Sequence, residues 1–299
     1  MRDTGSDDLR ALRELFARGR VLVLTGAGIS TDSGIPDYRD ATGRRRHAAP
    51  MTYDRFCGSE VERQRYWARS HLGWERIGGA RPNVSHLVVA QLQQAGLVDA
   101  IVTQNVDGLH TAAGSTDVID LHGRLDAVVC LGCGSRRPRI ELGWRLDCVN
   151  PGFRERARRD TPGGAVRPDG DVVLDDEVTS RFRVVSCRRC GGVLKPDVVF
   201  FGEHVPRERF HRALAHLDEA ASLVVLGSSL AVGSGYRFVT AARRRGLPVA
   251  IVSRGVTRGD GHATVRVDAD LATTLTHVGA DLVGHGSTTP ARMAVTDGS

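Results

Sequence analysis

The sequence predicts an α/β fold, and three observations carry that reading. Short continuous apolar runs of strand length (VLVL, AIVT, SLVVLG, VAIVS) alternate with segments whose apolar residues recur at helical spacing. Uninterrupted apolar strands belong to a parallel sheet covered on both faces. The first such run leads straight into a glycine loop, TGAGIS, as the first strand of a Rossmann-like sheet does. Two Cys-x-x-Cys-Gly knuckles, CLGCG and CRRCGG, then break the alternation. The expected architecture is a Rossmann-like parallel sheet with helices on both faces plus a small inserted zinc-binding domain.

In chain order, Leu9, Leu12, Leu15 and Phe16 mark one face of a first helix that Gly19 ends. RVLVLT is the first strand. Asn83 or Ser85 starts a second helix through Val88 and Leu92, stopped at Gly96. DAIVTQ and DVIDLHG are further strands, and DVVFFGE follows the second knuckle. Pro206 opens a helix carrying Phe210, Leu214 and Leu217. SLVVLG is a buried strand ending in GSS; a helix through Tyr236 and Val239 and the strand LPVAIVS follow. The Rossmann-like domain is accordingly expected over residues 1–123 and 196–283, the inserted domain over 124–195, and a disordered tail over 284–299.

Cys130, Cys133, Cys187 and Cys190 supply four thiolates, the ligand set of a closed tetrahedral zinc site with no open position. One structural zinc per chain is expected. Disulfides would need an oxidising compartment, and the start MRDTGSDDLRALREL lacks the apolar segment of a secretion signal. A thioredoxin-like redox pair would need only one Cys-x-x-Cys. A cytoplasmic location follows as an expectation, with Cys57 and Cys148 as single reduced thiols in or near a core.

The 299 residues are 41% apolar, enough for a sizeable core. No apolar run approaches the ~20 residues of a membrane helix, so no membrane partner is expected. The net charge is +6, almost all of its positive part arginine, with Lys195 the sole lysine. That charge is spread along the chain in short clusters, which disfavours nucleic acid as a partner.

TGAGIS suits a pyrophosphate, because glycine lets backbone N–H groups approach its oxygens. The dinucleotide fingerprint is incomplete, however. Thr31 stands where its third glycine belongs, and no acidic residue follows at the usual distance. A dehydrogenase is therefore disfavoured. The next segment, SGIPDYR, is a loop that no core helix would contain.

Taken together, GAGISTDSGIPDYR, TQNVDGLH, LHG, the two knuckles, LKPDVVFFGE, LGSSLAV and IVSRG resemble, in order, the signature segments of the sirtuins, NAD-dependent protein-lysine deacylases. The resemblance spans roughly residues 10 to 280. The long insert between the knuckles, the tyrosine of PDYR and RQRYWARSHLGW look like the class II branch. The resemblance implies NAD as a cosubstrate of the Rossmann-like domain, consumed without hydride transfer. It implies that Gly26, Ala27, Gly28, Tyr38 and Arg39 hold the pyrophosphate and nicotinamide ribose, with Ile35 and Asp37 completing the nicotinamide end. Gln104, Asn105, Val106 and Asp107 would line the ribose and nicotinamide pocket. Gly227, Ser228 and Ser229, Ser253, Arg254 and Gly255, and Leu271 would meet the ribose and adenine side.

His122, at the end of DVIDLHG, matches the family's general base, and Asn105 is the second catalytic candidate. The implied chemistry starts when the acyl oxygen of a modified lysine attacks C1′ of the nicotinamide ribose. Nicotinamide leaves, neutral His122 takes a proton from a ribose hydroxyl, and water completes release of lysine and O-acyl-ADP-ribose. An acyl-lysine protein or peptide would add as a strand between Phe201, Gly202, Glu203 and the segment at Leu230, with Val199 and Phe200 flanking the acyl tunnel. Tyr66 and Arg69, three residues apart on one helical face, match a Tyr-x-x-Arg pair of sirtuins that remove acidic acyl groups; core packing for Tyr66 and a surface charge for Arg69 is the other reading. Mono-ADP-ribosyl transfer to protein and a non-catalytic NAD-sensing zinc scaffold stand as alternatives.

Overall fold

The computed structural model describes residues 4–38, 44, 50–160, 167 and 169–283. Arg39 and the stretch 284–299 lie outside the described residues. Two sheets organise the chain. The larger takes six parallel strands, β1 Val21–Thr25, β2 Val98–Thr103, β3 Val118–Asp120, β7 Ser222–Leu226, β8 Val249–Val252 and β9 Val265–Val267. Their spatial order is β3-β2-β1-β7-β8-β9. The chain builds outward from β1 in one direction and from β7 in the other. The crevice between the carboxyl ends of β1 and β7 is thus a topological switch point, where open α/β sheets bind ligands.

Residues alternate across this sheet, and both faces are covered. Val21 and Val23 pack with Leu12 and Phe16 of α1 (Thr4–Ala17), Val89 and Leu92 of α4 (Val84–Gln94) and Leu275 and Val278 of α11 (Leu271–Val283). Leu22 and Leu24 pack the other way, with Leu217 of α9 (Arg207–Glu219) and Phe238 and Val239 of α10 (Gly233–Arg244). Of the two candidate caps for the second helix, Asn83 is the one used. Its side-chain oxygen accepts from Ser85 N at 2.9 Å, and His86 Nδ1 accepts from Asn83 N at 3.4 Å.

The smaller sheet is antiparallel, with β4 (Gly123–Cys130) central between β5 (Arg136–Pro138) and β6 (Leu194–Val198). DVVFFGE contributes strand only as far as Val198, and that strand pairs with β4, not with the large sheet. The small sheet shares one core with helices drawn from two stretches of chain. Phe56 of α2 (Tyr53–Gly58) and Tyr66, Trp67 and Ile77 of α3 (Glu60–Gly79) meet Leu125, Val128, Leu142 and Leu146 of β4 and α6 (Arg139–Val149). Phe153 of α7 (Phe153–Asp160) joins them, and α8 (Asp176–Ser180) closes over α3. Helices α2 and α3 precede β2 in sequence yet bury their faces in the zinc lobe, so this lobe is assembled from two separate segments.

Two local features hold the lobe. A Cβ on Gly73 would meet Gly170 O at 1.9 Å, so glycine there lets the 169–172 segment lie directly on α3. Arg139 is 1% exposed and stacks its guanidinium over Trp67 and Trp74, 5.0 and 5.7 Å from the ring centroids. Burial lowers its pKa to about 10, and the two indole faces supply part of what water would have given.

Candidate functional site

A cavity of about 1640 Å³ opens between the lobes, above the carboxyl ends of β1 and β7. Its floor is a contact between two loops. A Cβ on Gly28 would lie 2.9 Å from Gly227 O, and one on Gly26 2.7 Å from Ser228 Cβ. The glycines of TGAGIS are therefore required by the neighbouring strand end as well as by whatever fills the cavity. The chain after Gly26 turns into a short 3₁₀ helix, Ala27–Ser33, where the sequence alone had indicated only a turn.

From this floor the polar side chains form two short hydrogen-bonded groups. Gln104 Nε2 donates to Ser228 Oγ at 2.8 Å. Asn105 Nδ2 donates to Gly26 O and Ser30 Oγ at 3.0 and 3.1 Å. Ser30 Oγ in turn donates to Asp107 Oδ2 at 2.7 Å. Burial holds the Asp107 carboxyl above its ordinary range. Beneath lies a buried pair of histidines, His86 and His110, ring centroids 4.9 Å apart, with His110 Nε2 3.0 Å from Thr25 Oγ1. Nothing in the sequence spacing singled out Ser30, His86 or His110; their role appears only when β1, β2 and α4 converge.

His122 leaves the end of β3 and faces the cavity. Its Nδ1 is 2.9 Å from Gln104 O, and its Nε2 is 2.7 Å from Ser234 Oγ. A carbonyl only accepts, so Nδ1 carries the ring proton and Nε2 presents its lone pair, to which the Ser234 hydroxyl donates. Burial lowers this imidazole to about 4, so it is neutral at physiological pH. Ser234 was invisible to motif reading. It sits at the start of α10, directly after the LGSSLAV segment.

The placement of the remaining candidates is mixed. Gly26, Ala27, Gly28, Ile35, Asp37, Tyr38, Gln104, Asn105, Val106, Asp107, Gly227, Ser228, Ser229, Ser253, Arg254 and Leu271 all line the cavity, whereas Gly255 does not. Gly255 N instead donates to Asp268 Oδ1 at 2.9 Å. Arg254 pairs with Asp270 at 3.0 Å. On the other wall stand Val199, Phe200, Phe201, Gly202, Glu203 and Leu230. Leu230 holds a left-handed φ of 56°, a strained conformation of the kind that collects at binding sites. The sole lysine, Lys195, is 3% exposed and pairs with Glu203 at 3.0 Å, while Phe200 N donates to the same carboxylate at 2.8 Å. Lys195 thus ties β6 to the wall of the cavity. Tyr66 is 2% exposed and lines the cavity together with Arg167 and Asp169; Arg69 does not. Arg69 lies beside Asp171, whose carboxyl is raised by burial and the neighbouring Asp169 and lowered by Arg69 and Arg167.

The knuckles meet at the end of the small sheet. All four Sγ atoms of Cys130, Cys133, Cys187 and Cys190 lie within 4.8 Å of one another. The Cys130–Cys190 and Cys133–Cys187 separations are 3.5 and 3.8 Å. Zinc–sulfur bonds of about 2.3 Å in a tetrahedron require sulfurs roughly 3.8 Å apart, so the four thiols fit zinc, and all four are free of disulfides. Cys57 and Cys148 are exposed, outside any core. No helix among the described residues is long and apolar enough to cross a membrane.

Four histidines, His71, His86, His110 and His122, are lowered to about 4, 4, 3 and 4, each chiefly by burial. Their folded values lie below the ordinary 6.5, so between about pH 6.5 and 4 the unfolded chain takes up protons that the folded chain refuses. Their stabilising contribution is full above pH 6.5 and is lost as pH falls. Asp107, Asp120 and Asp171 are raised by burial and oppose this in part. We expect the melting temperature to drop by about 5 °C or more from pH 7 to pH 5. A flat profile in a thermal-melt series would contradict this balance.

Three comparisons bear on this site. The Sir2 family model matches residues 26–234. The chain is 52% identical over 280 residues to "NAD-dependent protein deacetylase 1" of Streptomyces coelicolor, covering 94% of this chain and 91% of that protein. It is also 52% identical to the similarly named protein of Mycobacterium avium, covering 85% and 88%. Among solved structures, a Sir2 with a p53 peptide and NAD+ superposes with TM-score 0.71 at 28% identity, over 91% of this chain and 98% of that one. A Sir2Tm bound to a propionylated peptide gives 0.68 at 27%, again over 91% and 98%.

Proposed function

This chain belongs to the Sir2 family, and from that premise we propose that it is an NAD-dependent protein-lysine deacylase releasing nicotinamide, O-acyl-ADP-ribose and free lysine. One observation carries the reading: a neutral imidazole, His122, faces the same cavity as the glycine loop at the sheet's switch point. NAD is the cosubstrate and an acyl-lysine protein or peptide the substrate. Relatives named as NAD-dependent deacetylases and Sir2 structures holding peptide with NAD support both.

The roles follow from position. Gly26, Ala27 and Gly28 face the pyrophosphate from the loop after β1, at the amino end of the 3₁₀ turn. Asn105, fixed by Gly26 O and Ser30, presents its amide to the nicotinamide ribose, and Gln104 and Asp107 flank it. His122 Nε2 takes the ribose-hydroxyl proton. Its Nδ1–H, anchored on Gln104 O, stabilises the imidazolium that forms. Ser234 must release Nε2 when the substrate hydroxyl arrives. The four cysteines would fill every position of a bound zinc, so the metal would hold the small lobe and take no part in the chemistry. Cysteines that serve a metal instead of pairing as disulfides suit a reducing compartment, the basis for a cytoplasmic location.

Incubating the protein with NAD and acetyl-lysine peptide and weighing the products tests the assignment. O-acetyl-ADP-ribose supports it, whereas ADP-ribosylated protein without deacylation would give the chemistry to ADP-ribosyl transfer.

We further propose a preference for bulky or acidic acyl groups. Tyr66 acts by contact in the tunnel. Arg69 acts through Asp171, whose neighbours Arg167 and Asp169 line the cavity. The expected result for Arg69→Met is a roughly tenfold loss on succinyl-lysine peptide with acetyl-lysine spared, the effect of removing a positive charge that balances Asp171 beside the cavity wall. Equal losses on both substrates would assign Arg69 to support of the fold alone.

A further inference from the structure

We propose that the rim of this cleft selects acyl-lysine segments with acidic flanking residues; the inference rests on the deacylase reading and names its substrate class. The two backbone segments assigned to the peptide, Phe201 to Glu203 and Leu230 to Val232, run directly into α9 and α10. The first two turns of those helices present Arg207 and His211 from α9 and Arg237 from α10, with His204 in the connecting loop. All four are exposed and line the cavity. The Arg237 guanidinium lies 5.8 Å from the Phe210 ring, one turn beyond Arg207, so the two helices build a single basic patch.

Little on the protein neutralises that patch. Among the described residues neither Arg207 nor Arg237 is ion-paired. Glu203 is taken up by Lys195 and Phe200 N. Glu208 does not line the cavity, and α10 carries no acid at all. The other acids of the lining lie elsewhere: Asp32, Asp37, Asp107 and Asp270 in the loops at the dinucleotide end, Asp169 in the small lobe. The cleft is therefore polarised along its length. A peptide carrying carboxylates beside its acyl-lysine meets complementary charge, and one carrying arginine or lysine meets repulsion. The patch is built of arginine and histidine, and the chain's sole lysine is buried, so lysine acylation cannot erase the rim's charge.

The test uses acetyl-lysine peptides identical except for flanking Asp/Glu, Asn/Gln or Lys/Arg. At low salt kcat/KM should be about tenfold higher for the acidic than for the basic peptide, expressed in KM and shrinking as salt rises. Arg207→Glu with Arg237→Glu should reverse the order while leaving NAD affinity and kcat on the Asn/Gln peptide unchanged. Arg207→Gln with Arg237→Gln should flatten it, and provides the reading if the reversed variant melts early. Equal kcat/KM within about twofold, or an acidic preference that survives both variants, would overturn the proposal. Failure of the unaltered enzyme to deacylate any of the peptides would instead remove the deacylase reading beneath it.

Discussion

Replacing His122 by alanine is expected to lower deacylation by about three orders of magnitude while leaving NAD affinity within about twofold. The expectation rests on a ring held at both nitrogens. Gln104 O fixes the tautomer and Ser234 Oγ marks where a donor hydroxyl approaches Nε2. Burial keeps the imidazole neutral, hence able to accept a proton, throughout the physiological range. Nicotinamide exchange should suffer much less than product formation, because attack at C1′ precedes the proton transfer. The fold should survive, since His122 is only half-buried and Gln104 itself lines the cavity, so the loss buries no carbonyl in the core. Deacylation in His122→Ala at near the unaltered rate, measured by product mass, would sink the assignment.

A comparable loss is expected from Cys→Ser at any of Cys130, Cys133, Cys187 or Cys190, by a different route. Structural zinc contributes roughly 10–16 kcal/mol in small metal modules, as much as the whole stability of an ordinary domain, about 5–15 kcal/mol. The small sheet is three-stranded, with its sulfur cluster at one end. Without the metal the shared core of β4, β6 and α3 loses its anchor, and the cavity wall carrying Tyr66, Val198 and Phe200 goes with it. Activity should vanish although no cysteine touches the reacting atoms. Metal analysis should find one zinc per chain in the unaltered protein and less in each variant. Active, purified protein without zinc would contradict this.

Much of this was legible in the sequence because it is written locally. The strand VLVL needs only its own apolar run, and its alternate residues reach both cores. The knuckles declare themselves by spacing, since four thiolates in two tight turns have few other uses. The helix before Gly96 carries its own start in Asn83. The local pattern of the glycine loop marks it as a ligand turn; its glycines are also demanded by Gly227, which lies about two hundred residues further along the chain and gives no local signal.

What the sequence by itself determined is the order of elements, the parallel sheet, the four-cysteine cluster and the family's segments, all set by short-range pattern and residue chemistry. The tertiary structure decided the rest. It placed α2 and α3 in the zinc lobe, because the apolar face of Tyr66, Trp67 and Ile77 matches the small sheet and no local rule says which sheet a helix covers. It turned Arg69 toward Asp171 and left Tyr66 on the cavity wall, although both share one helical face. It set Ser234 against His122 and Lys195 against Glu203. Such contacts join residues far apart in the chain, and their hydrogen bonds and ion pairs depend on geometry at the scale of a few ångströms, which folding alone supplies.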